Sequence, residues 1–254
     1  MLTKDLITVY RQISQQNLTI VDLETTGYAP PMARAIEISI IHANLADGVQ
    51  HQETHLINPG VRVPEQITRY TGISQVMVTQ ADAATDVWPN CFPLLNQGLL
   101  TAHNVSFDYS FIRYELQQQG IEFARTSQEQ FCTVIFSRLM LPELPSRSLP
   151  NLVRHFGFDV GQSHRAAADT MACWLLAERL LREVNDRSDD ELLSRFGQQW
   201  LTMKDVAKIM GCRQQVALRK LTMAGLEPRI SSRSKTMMYR RSEVERLVAE
   251  LAAD

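Results

Sequence analysis

Three short stretches carry residue types that could do chemistry together. The first is Asp22-Leu23-Glu24, which ends the apolar, β-branched run from Leu18 to Leu23. Residues i and i+2 of a strand project to one face, so both carboxylates point one way while Leu23 points into the core. Adjacent carboxylates repel unless a cation sits between them, and a divalent metal is the usual remedy. Taken alone, such a pair is more often two solvated acids. The second stretch is His103-Asn104-Val105-Ser106-Phe107-Asp108, with Asp108 in the first turn of an expected helix. The helix dipole favours an acid there in any case, and Ser106 is the expected N-cap. The third is His164-Arg165-Ala166-Ala167-Ala168-Asp169. One continuous helix would splay its two ends by about 140°, since each residue turns about 100°. A helix that starts just after His164 leaves the histidine on a mobile loop and Asp169 on a rigid element. That suits a base that moves and a metal ligand that does not.

Asp-x-Glu at a strand end, Asp after His-Asn-x-x-Phe, and His-x4-Asp opening a late helix occur in that order. On these residues the chain resembles the DnaQ-like 3′→5′ exonucleases of the DEDDh branch, with RNase T and the polymerase III epsilon subunit among them. The matching positions are Asp22, Glu24, Asp108, His164 and Asp169, within DLETTG, AHNVSFD and SHRAAADT, and the likeness covers about residues 17–184. The resemblance implies an RNase H-like fold and two Mg²⁺ or Mn²⁺ ions. By resemblance, Asp22, Glu24 and Asp169 hold the first ion and its water. Asp22 bridges to the second, Asp108 helps through water, and His164 takes the proton from the attacking water. Thr25, Thr26 and Gly27 then form a turn against the terminal nucleotide, and His103 and Asn104 organise the site from the neighbouring strand. Phe107 is expected in the core. The chemistry is consistent, because all-oxygen ligands select hard cations. Two ions roughly 3.5–4 Å apart can stabilise both oxygens of an in-line displacement at phosphorus. The product would be a 5′-mononucleotide released from a free 3′ end.

These residues need elements to hold them. Residues 3–16 read as an amphipathic helix. Leu18–Leu23, Ala35–Ala43 and His51–Ile57 read as three strands of an antiparallel meander. Beyond Pro59-Gly60, short helices are expected after Pro64 and over Asp86–Leu95. A strand over Leu99–His103 and a helix over Phe107–Gln119 follow. Another strand lies near Phe131–Val134, with helices near Val134–Leu141 and Leu149–Phe156 and a long one over Arg165–Val184. A meander followed by alternating strands and helices predicts an α/β fold, a mixed sheet flanked by helices.

The boundaries expected are an N-terminal helix at 1–16, an exonuclease domain at 17–187, a helical linker at 188–200 and a helix-turn-helix-like domain at 201–254. Net charge is −2 over 254 residues but unevenly placed. Residues 1–200 hold 15 Lys+Arg against 22 Asp+Glu, whereas residues 201–254 hold 11 against 6. In that basic segment Thr202–Met210 and Gln214–Ala224 read as helix, turn, helix. Pro228–Arg241 reads as a hairpin or wing, and Ser242-Glu243-Val244-Glu245 as a capping box for a last helix. The segment resembles the small winged helix-turn-helix of MerR or excisionase type. Arg213, Arg219, Lys220, Arg229, Arg233, Lys235, Arg240 and Arg241 could then neutralise phosphates. The alternative is a packing module with solvated charges.

Composition is that of an ordinary globular chain, 44% hydrophobic and 21% charged. No apolar stretch reaches a membrane span, and the N-terminus lacks the pattern of a signal peptide. Cys91, Cys132, Cys173 and Cys212 form no CxxC pair, which suits reduced thiols in a cytoplasmic protein. The sequence therefore favours an exonuclease acting on nucleic acid with a free 3′ end. DNA is preferred because the tail resembles duplex-DNA readers, and replication or repair proteins are possible partners. Two readings compete: an RNA 3′-end trimmer of the RNase T or oligoribonuclease kind, and a DNA-binding regulator with a nucleotide-sensing domain. A sensor needs no base, so His164 beside four acids speaks against the regulator.

Overall fold

The computed structural model describes residues 1–161, 164–231 and 235–253. The chain opens with α1 (Thr3–Ile13), β1 (Leu18–Thr25), β2 (Ala35–Asn44), β3 (Gly48–Asn58), α2 (Glu65–Thr71) and α3 (Gln75–Gln80). It continues through β4 (Asp82–Ala83), α4 (Ala84–Leu95), β5 (Leu99–Ala102), α5 (Val105–Gln118), β6 (Gln130–Cys132) and α6 (Thr133–Met140). Next come α7 (Leu149–Phe156), α8 (Ala166–Asp186), α9 (Asp189–Gly197) and β7 (Trp200–Thr202). The last elements are α10 (Met203–Ile209), α11 (Gln214–Met223), β8 (Arg229–Ile230), β9 (Met237–Arg240) and α12 (Arg241–Ala253). Among the described residues, no helix is long and apolar enough to cross a membrane. The chain divides into two compact units.

The first unit comprises Ser14–Phe136 and Ser146–Leu180. Its six-stranded sheet runs β4-β3-β2-β1-β5-β6. Strands β1, β2 and β3 are antiparallel neighbours, β5 and β6 continue parallel to β1, and β4 lies parallel to β3. This is the mixed-sheet α/β architecture expected from the sequence. Leu18–Val21 are all buried, as befits a central strand covered on both faces. From Asp22 onward burial alternates: Leu23 is buried, while Asp22 and Glu24 reach partial exposure on the opposite face. Trp88, Cys91 and Leu95 of α4 and Phe111, Ile112 and Leu116 of α5 pack with Val21, Leu23, Ile38 and Ile40 of the sheet. A smaller cluster of Ile36, Val63, Ile73 and Val78 forms elsewhere in the unit. Strand β5 enters tightly beside β1: the Leu99 N–H donates to the Asn17 carbonyl at 2.9 Å. A Cβ on Gly98, whose φ is 52°, would meet that carbonyl oxygen at 2.6 Å, so only glycine fits.

The second unit comprises Met1–Ile13, Ser137–Pro145 and Leu181–Asp254. Leu201, Val206, Ala217, Leu221, Tyr239, Val244 and Leu247 form its C-terminal core. A capping box opens α10 at Thr202, with Asp205 Oδ2 accepting from Thr202 Oγ1 at 2.7 Å. Helices α10 and α11 are joined by a turn in which Gly211 takes φ 62°. Helix α1 packs in this same unit. Tyr10 meets Phe196 edge-on at 6.2 Å, and Thr3 donates through both its N–H and its hydroxyl to Glu245 Oε1.

Several local expectations are corrected. Helix α12 begins at Arg241, so Ser242 lies inside it and does not cap it. Asn104, not Ser106, is the N-cap of α5, and the Ser106 hydroxyl donates to Asn104 Oδ1 at 3.2 Å. Strand β7 has no counterpart among the expected elements: its three residues pair antiparallel with β9, Leu201 opposite Tyr239. The same holds for helix α3 and the two-residue β4. Elements this short carry no periodicity of their own and exist because a neighbour pairs with them.

Candidate active site

Strand β1 sets the first two carboxylates. In the register with β2, Asp22 lies opposite Ser39 and Glu24 opposite Glu37, and a bulge follows between Glu24 and Thr25. The bulge ends regular pairing where the strand leaves the sheet. Helix α8 brings the third. It begins at Ala166, so His164 stands outside it while Asp169 sits in its first turn. Carboxylate oxygens of Asp22, Glu24 and Asp169 all lie within 4.8 Å of one another. Asp108, on the first turn of α5, is 4% exposed and close enough to raise the Asp22 pKa by its charge.

The electrostatics are those of crowded anions. The Asp22 carboxyl is held well above its ordinary range, first by burial and then by Asp108, Asp169, Glu24 and Glu37. Glu24 is pushed up to about 7 by burial, Asp169 and Glu37, against a smaller lowering by Arg165. Asp108 rises to about 8, chiefly through burial, although the backbone N–H groups of Asp108 and Leu23 pull the other way. Burial also raises Asp169, and the His164 N–H and the histidine's charge oppose it. Four acids in such contact are stable together as anions only around a cation. Among the described residues the three grouped donors are all hard carboxylate oxygens, which fit a divalent ion of the Mg²⁺ class.

His164 takes a left-handed backbone, φ 66°, rare for a residue with a side chain. Its N–H donates to Asp169 Oδ2 at 3.1 Å, which ties the loop to the ligand. Its ring stacks on Tyr70 of α2, with centroids 3.9 Å apart and planes at 35°. Tyr70 is 63% exposed, and its hydroxyl pKa is raised first by partial burial and then by Glu24 and Asp169, so it stands at the mouth of the acidic cluster.

Two ion pairs built on buried acids fix the geometry, and sequence reasoning missed both. Glu37, 1% exposed, accepts from Arg165 Nη2 at 2.6 Å and from the Ala166 N–H at 2.9 Å. It thereby anchors the start of α8, and with it Asp169, to strand β2. Glu115 of α5, fully buried, receives Arg34 in a bidentate pair at 2.8 and 2.7 Å and the Ala35 N–H at 3.1 Å. That pair holds the return of the loop leaving β1. A lone acid in the apolar run Ile36-Glu37-Ile38 was the available signal.

The remaining expected residues divide. In the turn after β1 the Thr25 hydroxyl donates to the Gly27 carbonyl at 2.7 Å, and the Thr26 N–H donates to the Arg34 carbonyl at 2.9 Å. A Cβ on Gly27 would crowd Ala33 Cβ at 3.2 Å. Asn104, with φ 96°, opens α5. His103 is a correction. Its Nε2 lies 2.8 Å from the Arg147 carbonyl, which can only accept, so Nε2 carries the proton and donates. Its Nδ1 then accepts from the Thr133 hydroxyl at 2.9 Å. Both ring nitrogens are engaged within the protein, so the His103 side chain is a strap between segments, with both its polar atoms already partnered. Phe107 is partly buried against the main core.

In the C-terminal segment Arg213, Arg219, Arg229 and Lys235 are exposed, while Lys220 and Arg240 are half-buried. Arg233 lies outside the described residues. Arg240 and Arg229 place their guanidinium groups 4.1 and 5.1 Å from the ring centre of Trp200. Arg241 is a second correction. It is 7% exposed, pairs with Glu245 at 2.8 Å and donates to the Gln199 side chain and the Met1 carbonyl. Its charge is spent inside the fold and is not available to phosphate.

Comparison with known proteins places the chain in a family. Residues 19–177 match the family model described as "Exonuclease". The PolC-type DNA polymerase III of Clostridium perfringens is 27% identical over 191 residues, covering 75% of this chain and 13% of that protein. The 3′-5′ exonuclease DinG of Bacillus subtilis is 30% identical over 173 residues, covering 68% of this chain and 18% of that protein. The DNA polymerase III subunit epsilon of Aquifex aeolicus is 26% identical over 166 residues, 65% of this chain and 80% of that one. The chain thus spans a small fraction of the PolC-type relatives it matches. Among solved structures, E. coli exonuclease I with a dT13 oligonucleotide superposes with a TM-score of 0.58 at 18% identity, over 71% of this chain and 46% of that one. That likeness supports the fold. Acidic cluster, mixed sheet and family match together define a nuclease domain of a class that depends on divalent metal. The chain belongs to the exonuclease family of RNase T and DnaQ type.

Proposed function

We propose that this protein is a 3′→5′ exonuclease acting on DNA, with two Mg²⁺ or Mn²⁺ ions at its acidic cluster. The observation that carries the reading is the meeting of Asp22, Glu24 and Asp169 within 4.8 Å, with His164 tethered to Asp169 on a loop outside the helix. Asp22, Glu24 and Asp169 would hold the metal, with Asp108 completing the cluster. Bound there, divalent cations supply charge stabilisation for the phosphorane oxygens and a more acidic water. The chain's own groups do the rest. His164 accepts the proton of the attacking water, the role of a general base. Standing outside α8, the ring would turn from Tyr70 toward the water when substrate is present. The turn Thr25-Thr26-Gly27 and Asn104 line the approach of the terminal nucleotide. Water adds to phosphorus, the bond to the 3′ oxygen breaks, and a 5′-mononucleotide leaves.

DNA is the assigned substrate because relatives named as a PolC-type DNA polymerase III and a DNA polymerase III subunit epsilon match over this domain and because of the basic C-terminal segment. Helices α10 and α11 with the β7-β9-β8 sheet support reading that segment as a winged helix-turn-helix that grips nucleic acid, with Arg213, Arg219, Lys220, Arg229, Lys235 and Arg240 facing phosphates. Replication or repair proteins are the expected partners. The test is digestion of 3′-labelled and 5′-labelled single-stranded and duplex DNA and RNA, with and without Mg²⁺. Mononucleotide release from the labelled 3′ end of DNA, abolished by EDTA, is the expected result. Faster trimming of RNA, or release from the 5′ end, would overturn the assignment.

A further inference from the structure

A second cluster of metal-ligating side chains lies in the same unit as the acidic cluster. Strand β3 places His51, Glu53 and His55 at alternate positions, so they share one face of the sheet. In register, His51 lies opposite His42 of β2, and the rings of that pair sit 5.8 Å apart. Three of the protein's six histidines therefore occupy one face of two neighbouring strands. Cys91 of α4 packs onto that face, and its sulfur lies within 4.8 Å of ligand atoms from Glu53 and His55. Glu53 already gathers its neighbours: His55 Nε2 stands 3.1 Å from Oε1, and His51 Nε2 stands 3.2 Å from Oε2. The edge of a tetrahedron with 2.0–2.3 Å bonds is about 3.3–3.8 Å, so small side-chain rotations close the set around one ion.

We propose that Glu53, His55 and Cys91, with His51 available as a fourth ligand, form a site for a borderline divalent cation of the zinc class. The donor set differs in kind from the catalytic one. A thiolate and an imidazole select zinc or cobalt over magnesium, whereas the all-oxygen cluster does the opposite. One thiolate and one carboxylate also balance the ion's two charges, so the closed site is neutral and tolerates burial. The layout gives both a floor and an entrance. Cys91 is fully buried, while the Glu53 and His55 side chains are 29% and 36% exposed. Burial and Glu53 push the Cys91 thiol up to about 12, so the metal-free protein carries a neutral S–H. Binding then displaces one proton from sulfur to solvent as the metal–sulfur bond forms. The ion would tie β3 to α4, the helix that covers this face of the sheet.

The probe is Co²⁺ added to the full-length protein after EDTA treatment and dialysis. A near-ultraviolet sulfur-to-cobalt charge-transfer band, with the visible bands of four-coordinate cobalt, is the expected result, and Zn²⁺ should erase both. The acidic cluster contains no sulfur, so Asp22→Asn should keep the band. Cys91→Ser should lose it. Should that buried substitution prevent folding, Glu53→Gln and His55→Ala stand at partly exposed positions, and each should weaken cobalt binding about tenfold or more. No sulfur band in the wild type overturns the proposal, as does a band that survives Cys91→Ser. Unchanged affinity in both Glu53→Gln and His55→Ala also overturns it, and the cluster is then a hydrogen-bonded His–Glu–His set above an inert thiol.

Discussion

At the scale of single residues, the acidic cluster trades stability for affinity. Asp22, Glu24, Asp108 and Asp169 all hold raised pKa values, two of them at about 7 and about 8. For each, the folded form retains its proton to higher pH than the unfolded chain does. The unfolded state thus binds fewer protons between the ordinary carboxylate range and pH 8, and stability falls as pH rises through that window. The melting temperature of the EDTA-treated protein should accordingly drop from about pH 4 to pH 8. Asp108→Asn should flatten that slope, and excess Mg²⁺ should reverse it at the alkaline end. Thermal melts over a pH series check this, and an unchanged slope in Asp108→Asn would contradict the assigned repulsion. Under the proposed function, Asp22→Asn and Asp169→Ala should abolish cleavage while the fold persists. His164→Ala should slow the chemical step by about 10²–10⁴. Because His164 is not a ligand, metal affinity measured by calorimetry should stay close to that of wild type.

At the scale of elements, the site depends on where α8 starts and on what holds that start. Glu37 does so from β2, through Arg165 and the Ala166 N–H. Glu37→Gln keeps an acceptor for that N–H but removes the charge facing Arg165. It should weaken metal binding or activity by about 10–100-fold, the usual cost of losing a group that orients a ligand. The circular-dichroism spectrum should be unchanged. If activity stayed normal, Asp169 would be positioned by helix packing alone. The same comparison separates Arg165 from a substrate-binding role, since Glu37→Gln should alter metal affinity before it alters the Michaelis constant.

At the scale of the whole molecule, the basic residues of the C-terminal segment do two jobs. Arg219 and Lys235 are exposed and point their charge at solvent, whereas Arg241 is an internal strut. Arg219→Glu and Lys235→Glu should weaken DNA binding without changing the chemical step at saturating DNA. Removing one phosphate-neutralising cation should flatten the log–log salt slope by about 0.9 on duplex DNA. Arg241→Ala should leave that slope alone and instead cost stability on the order of 1.5–3 kcal/mol, because the half-buried Glu245 loses its cation and keeps only its hydrogen bonds from Thr3. Equal salt slopes for wild type and both charge reversals would make the segment a protein-docking module. Charge reversals are cleaner here than truncation. A cut after Phe196 keeps every candidate catalytic residue but strips Glu245 from Thr3 of α1.

The candidate set was legible in the sequence because each member sits at a local landmark: a strand end, the first turn of α5, the start of α8. Strand period and helix turn are local properties, so spacing alone could say that Asp22 and Glu24 share a face and that His164 belongs outside the helix. The mixed sheet was legible for the same reason, from a meander followed by alternating strands and helices. What the sequence could not decide is pairing across distance. Glu37 meets Arg165, Arg34 meets Glu115, and Tyr70 meets His164 across gaps in the chain that no periodicity spans. Nor could it sort one arginine from the next. Arg240 and Arg241 are adjacent, yet one stacks on Trp200 and the other is buried against Glu245. Charge is a property of the residue, but whether that charge faces solvent or a buried acid is fixed only when the tertiary fold sets its surroundings.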